Sequence, residues 1–425
     1  MSHSDWQSDV LSFIDDHESD IVAALRALVQ IPSISGSDEE NSIQDLMAKQ
    51  FVELELDVDH WQIPLAATIE ADDFPGVEVE RREAWGLVGK TQGIGDGPSL
   101  MLNCHVDVVP SGDLLAWNHA DPFAGIVDQD AVHGRGACDM KGGLVAAMWA
   151  VRALTELHVP LRGDLILASV QGEEDGGLGT YATLARGWRA DACVIPEPTS
   201  LDIVPANGGS LTFRLRVHGL AAHASRRTSG VSAIECFLPI FVVLRELEAR
   251  RNRVVDSLMS RWDIAYPIEI GQVNSGDWSS SVPDLLVAEG RFGVALDEGI
   301  ESARSEFEDA IASASANDPW LRDHPVEIEW WGGQFKPGRT PLDAPILRTV
   351  REAHSSVSNH VQQTWGAPYG SDLRLTADIG GMPTVHYGPG DAALAHGPNE
   401  RVSIAEVLTT TRTLAIVAMR HCHVG

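Results

Sequence analysis

The chain has 425 residues, 44% hydrophobic and 22% charged, which is enough apolar side chain for folded cores and too long for one core, so two globular domains are expected. A formal net charge of -30 would repel phosphate backbones and anionic membranes, which argues against nucleic acid or lipid as a partner. No stretch reaches the roughly 20 consecutive apolar residues of a membrane span, and the acidic opening MSHSDWQSDVLSFIDDHESD is unlike a signal peptide, so a cytoplasmic protein is expected.

Apolar residues at helical spacing over 10–28 and again over 42–54 predict two opening helices. Short apolar runs then alternate with helical stretches: LMLNC at 100–104 before GGLVAAMWAVRALTEL, DLILASV at 164–170 before a helix near YATLARGW, and ACVIP at 192–196. That alternation predicts an α/β domain whose sheet is mostly parallel and buried. From about Gly208 the order changes to strand (SLTFRLRVHG), long helix (231–251), two strands (near IEIGQV and LLVAEGRFGV), helix (ESARSEFEDAIASAS) and strand (VEIEWW). This βαββαβ series is the order of a ferredoxin-like domain. It is read as an insertion over 208–335, with 1–207 and 336–425 forming the discontinuous first domain, which resumes at GMPTVHYGPG and closes on a helix over 402–419. The five cysteines are scattered and lack CxxC spacing, which suggests neither a disulfide framework nor a thiolate metal site.

Parallel α/β sheets bind ligands at the carboxyl ends of their strands. Acidic and histidine residues gather at those ends in this chain: His105 with Asp107 after SLMLNC, Asp139 after HGRGAC, Glu173 and Glu174 after DLILASV, Glu197 after ACVIP, and His396 in the loop after MPTVHYGPG. Mixed imidazole and carboxylate donors suit divalent zinc, cobalt or manganese, and an Asp using both oxygens can bridge two ions. Of two adjacent glutamates, one can ligate while its neighbour takes a proton from water and returns it to a leaving amine. Asp107, two residues beyond His105 on an extended chain, can hold the other ring nitrogen.

HVD at 105–107, GRGACDMKGG at 134–143, GEEDGGLGT at 172–180, EPT at 197–199 and AHGPNE at 395–400 together resemble the M20 metallopeptidases and deacylases, over nearly the whole chain. The resemblance implies a catalytic domain of the zinc-exopeptidase type carrying an inserted lid and dimerisation domain. It implies two divalent ions, zinc first with cobalt or manganese as alternatives. His105 and Glu197 would hold one ion, Glu174 and His396 the other, and Asp139 would bridge. Glu173 would be the general base and Asp107 the orienter of His105, and a non-proline cis peptide would fall at Asp139-Met140. His223, in GLAAHAS, resembles the lid histidine that stabilises the oxyanion in the neighbouring subunit of a homodimer.

Candidate substrate-side residues are Ser280, Arg291, Gly370 and Ser371. Ser280-Ser281-Val282-Pro283 stands where relatives carry Asn-x-Ile/Val-Pro, and Gly293 stands where many place an arginine, with Arg291 two residues earlier. The implied function is hydrolysis of an amide in a small N-acyl amino acid, of deacetylase or desuccinylase type. A dipeptidase or carboxypeptidase is the alternative within the family, and a non-catalytic dimeric metal- or ligand-binding protein is the alternative of another class.

Overall fold

A computed structural model describes residues 3–425, with side chains from Asp5 onward. The chain divides into two compact units, one made of residues up to Ala206 with Arg339–Trp365 and Ser371–Gly425, the other of Asn207–Gly338 with Gly366–Gly370.

The first unit is built on the nine-stranded sheet, whose order runs Asp57–Gln62, Trp85–Thr91, Leu165–Val170, Leu100–His105, Ala192–Ile195, Thr384–His386, Ile203–Asn207, Gly338–Arg339, with Thr364–Ala367 pairing Ile203–Asn207 off this path. Its central strands, from Leu165–Val170 to Thr384–His386, run parallel, and the flanking pairs are antiparallel. Every residue of Leu100–His105, Leu165–Val170 and Ala192–Ile195 is buried, as largely apolar runs require when helices cover both faces of a sheet. The helix Gly142–Glu156 packs on Ile404–His421, which in turn packs on Pro345–Val357. Ser403 caps Ile404–His421 by accepting from the Glu406 N–H at 3.4 Å, while Glu406 accepts from the Gly390 N–H at 2.6 Å and so ties the helix start to the loop leading to His396.

The second unit carries the four-stranded antiparallel sheet Ile268–Ser275, Leu285–Val294, Gly209–His218, Glu327–Phe335, with helices Ala233–Arg251 and Ile300–Asn317. Leu211, Phe213, Leu215 and Val217 alternate with more exposed residues along the first strand, so one face is apolar and meets the helices. Phe213, Phe292 and Trp330 surround Phe307, with ring centroids 4.7–5.2 Å from it.

The opening segment differs from the expected single helix over 10–28. Two helices, His3–Asp16 and Glu18–Val29, meet at His17, whose backbone leaves the helical region and whose Nδ1 lies 2.7 Å from the Phe13 carbonyl oxygen. All five cysteines are free and buried. No helix among the described residues is long and apolar enough to cross a membrane.

Candidate active site

His105 ends a fully buried strand, Glu173 and Glu174 lie in the turn after Leu165–Val170, and Glu197 follows Ala192–Ile195, so three neighbouring parallel strands deliver side chains at their carboxyl ends. Asp139 lies in an irregular turn before Gly142–Glu156, with a cis peptide to Met140. His396 follows a short 3-10 helix and has a left-handed backbone, φ 59°.

These residues converge. His105 Nε2 is 3.1 Å from Asp139 Oδ1 and 3.7 Å from Glu197 Oε1. His396 Nε2 is 3.0 Å from Glu174 Oε2 and 3.5 Å from Asp139 Oδ2. Ligand atoms of His105, Asp139 and Glu174 all lie within 4.8 Å of one another. The His105 side chain is 1% exposed and that of His396 is 55% exposed, so the cluster has a closed end and an open end.

Asp107 organises the closed end. The His105 ring Nδ1 is 2.9 Å from the Asp107 backbone oxygen and 3.7 Å from its carboxylate. The carboxylate instead accepts from the Glu173 N–H at 3.2 Å, the Glu174 N–H at 3.3 Å and the Ser35 hydroxyl at 2.8 Å. One residue thereby sets the ring tautomer and the turn bearing both glutamates.

The electrostatics show a shortage of positive charge. Burial pushes the Glu173 carboxyl well above its usual range, with Asp372 adding to the shift, and burial with the Asp139 charge does the same to Glu197. Glu174 raises His396 to about 11. Burial opposes charge on His105, yet its hydrogen bond to Asp139 and the nearby glutamates raise it; Asp139 is held low by the two histidines despite its own burial. The donor set of two imidazoles and three carboxylates fits divalent ions.

The remaining candidates are not among the residues joined by these contacts. His223 and Ser280 share a small ribbon in the second unit, where His223 pairs with Ser281 and the Ala224 N–H donates to Ser280 O at 2.8 Å. His223 Nδ1 accepts from the Ser225 N–H at 3.2 Å. Arg291 stands over the Phe335 ring at 5.6 Å. At Gly370 an added Cβ would meet the Phe335 side chain at 2.5 Å. The Ser371 hydroxyl is 3.0 Å from His386 Nε2 in the first unit.

The model of peptidase family M20/M25/M40 matches residues 101–420. The chain belongs to this family. It is an M20 hydrolase, an enzyme acting on amide bonds. It is 29% identical to the N-formyl-4-amino-5-aminomethyl-2-methylpyrimidine deformylase of Bacillus subtilis (strain 168), over 96% of each chain. It is 27% identical to the acetylornithine deacetylase of Erwinia tasmaniensis, over 94% of this chain and 97% of that one. Its fold is similar to that of the di-peptidase Dug1p from Saccharomyces cerevisiae, with a TM-score of 0.78 at 15% identity over 99% of each chain.

Two further residues of this M20 enzyme, Glu400 and Arg135, brace the cluster without having been singled out by sequence, and a third, Asp372, acts on Glu173 through its charge. Glu400 Oε1 accepts from the Cys138 N–H at 2.9 Å and the Asp139 N–H at 3.1 Å, and its Oε2 accepts from Arg135 at 2.6 Å. Asp372 accepts from the Thr180 hydroxyl at 2.6 Å, and Thr180 accepts from Asn103 at 2.9 Å. Glu400 and Arg135 lie inside the AHGPNE and GRGACDMKGG motifs, and Asp372 follows Ser371, so the signal was position within a motif.

Proposed function

We propose that the protein is a deacylase that hydrolyses the amide of a small N-acyl compound, with two divalent ions held by His105, Glu197, Asp139, Glu174 and His396. The observation that carries this reading is Asp139, whose two oxygens face different histidines, each with a further carboxylate beside it. Zinc suits the donors first, and the carboxylates also accommodate cobalt or manganese. Divalent ions there would polarise an amide carbonyl and lower the pKa of a water.

Glu173 is the general base. Its raised proton affinity suits taking a proton from water and returning it to the departing amine. Asp107 accepts the His105 Nδ1 proton on its backbone oxygen, which leaves the Nε2 lone pair for an ion. Because His223 Nδ1 accepts from Ser225, Nε2 carries the ring proton and can donate to an oxyanion. We place that donation in the site of a second copy, in a homodimer formed through the inserted unit. The exposed side chains Ile234, Leu238, Phe241 and Val242 along Ala233–Arg251 support such an interface.

N-acyl amino acids are the first substrate class, with Ser280, Arg291, Gly370 and Ser371 on the substrate side. A second reading, an N-formylated or N-acylated amine without a carboxylate, is favoured by Gly293. A Cβ there would sit 2.8 Å from the Tyr266 carbonyl carbon and 2.9 Å from Pro267 N, so the backbone admits no side chain at the place where relatives carry arginine. The full-length likeness to a deformylase supports the same reading.

A panel of formyl, acetyl, succinyl and dipeptide substrates, assayed before and after chelation, separates these readings. Glu173→Gln is expected to lower turnover about 10²- to 10⁴-fold while ion content is unchanged. Cleavage of dipeptides alone would replace the deacylase reading, and bound ions without turnover across the panel would favour a binding protein.

A further inference from the structure

The loop carrying Glu173 and Glu174 is gripped by a strap outside the family motifs, the connection over 71–84 between the short helix Leu65–Ile69 and strand Trp85–Thr91. Asp175, next in the chain, is its handle. Arg81 Nη1 and Nη2 donate to the two Asp175 oxygens at 2.9 Å each. The same guanidinium donates through Nε and Nη2 to the two oxygens of Glu40, at 2.9 and 3.1 Å. The N–H groups of Glu78 and Val79 also reach Asp175 Oδ2, each at 3.1 Å. Gly176 runs so close to the strap that a Cβ there would lie 1.9 Å from Gly76 O.

All three charged side chains are withdrawn from water: Arg81 is 3% exposed, Glu40 2% and Asp175 6%. Two buried carboxylates from different elements share one planar fork, an arrangement that a point-like ammonium cannot reproduce. Glu40 lies in the first turn of Asp38–Glu53 and also accepts from the Gly36 N–H at 2.7 Å, so the fork joins that helix to the turn after Leu165–Val170. Loss of the fork would leave both carboxylates buried without their cation, and the turn would shift to hydrate Asp175.

We propose that Arg81 is a positioning residue, which through Asp175 sets the loop 172–177 so that Glu174 reaches the ion-holding cluster and Glu173 the reacting water. The proposal rests on the roles of Glu173 and Glu174 given above. It is tested on the full chain with Arg81→Lys, Asp175→Asn and Glu174→Ala, using Co²⁺ titration calorimetry, the visible spectrum of bound Co²⁺, thermal melting, and kcat and KM on the best panel substrate. Arg81→Lys is expected to weaken one Co²⁺ equivalent about 10- to 100-fold, the equivalent that Glu174→Ala removes, and to change its spectrum. Its kcat is expected to fall by a similar factor with KM nearly constant.

If Glu174→Ala loses an equivalent while Arg81→Lys binds Co²⁺ and turns over like the wild type, the positioning role is overturned and the site reading stands. If Glu174→Ala binds Co²⁺ like the wild type, the site reading fails first and the positioning role falls with it. Should Arg81→Lys not fold, Asp175→Asn carries the test: weakened Co²⁺ binding supports the role, and wild-type binding overturns it.

Discussion

His386 illustrates how one buried side chain couples the cluster's surroundings to pH. It is fully buried, its Nε2 meets the Ser371 hydroxyl, and its Nδ1 has no hydrogen-bond partner among the described residues. Burial pushes its pKa down to about 3, against a weaker opposing pull from Asp139. An unfolded histidine titrates near 6.5, so below that pH the unfolded chain binds a proton that the folded ring refuses. Stability attributable to His386 is therefore intact above about 6.5 and is lost as pH falls towards 3, at up to about 1.4 kcal/mol per pH unit. Denaturant unfolding of wild type and His386→Gln at several pH values between about 4 and 7 is expected to show a flatter dependence for the variant. Parallel curves would remove His386 from the account. At this scale the sequence located Asp107 beside His105, and the structure decided that its backbone oxygen meets the ring while its carboxylate holds the next turn. Two-residue spacing brings both oxygens within reach and does not choose between them.

The helix Ala233–Arg251 carries apolar residues on two faces. Cys236, Phe237, Ile240, Leu244 and Leu247 are buried in the insert's own core, and Ile234, Leu238, Phe241 and Val242 are exposed. A helix with both faces apolar has more hydrophobic surface than its own domain covers. If the outer face forms the proposed homodimer, Leu238→Glu with Phe241→Glu is expected to halve the mass seen by light scattering and to depress kcat, because each site loses the partner's His223. A wild type that is monomeric and fully active would refute both statements. Elements with a strong pattern were legible in advance: this helix, its βαββαβ neighbours and the largely apolar central strands. The flanking strands Asp57–Gln62 and Trp85–Thr91 were not, since the first is at least partly exposed along its length and its DVDHWQ sequence carries little apolar signal. Antiparallel pairing to Trp85–Thr91 recruits it into the sheet despite that composition.

For the whole molecule, the dominant physical fact outside the site is a net charge of -30 with only four lysines, Lys49, Lys90, Lys141 and Lys336. Like charges at that density repel one another in the compact state, and salt screens them over a Debye length that shrinks from about 10 Å at 0.1 M to about 3 Å at 1 M. The melting temperature is therefore expected to rise as KCl is raised from about 0.1 to 2 M, and acidic-to-neutral substitutions on the surface are expected to reduce that rise. A melting temperature independent of salt would show that the acidic surface does not limit stability.

The sequence by itself determined the two kinds of architecture, because burial on both sheet faces and the order of elements are written in local periodicity, and it determined which residues form the candidate cluster, because each follows an apolar strand or lies in a short motif. Tertiary structure alone decided that Asp139 stands between two histidines, that Glu400 braces the cluster, that Thr180 bonds Asp372, and that Arg81 holds Asp175 together with Glu40. Those bonds join residues far apart in the chain, and hydrogen-bond geometry between distant segments leaves no periodic trace in either of them.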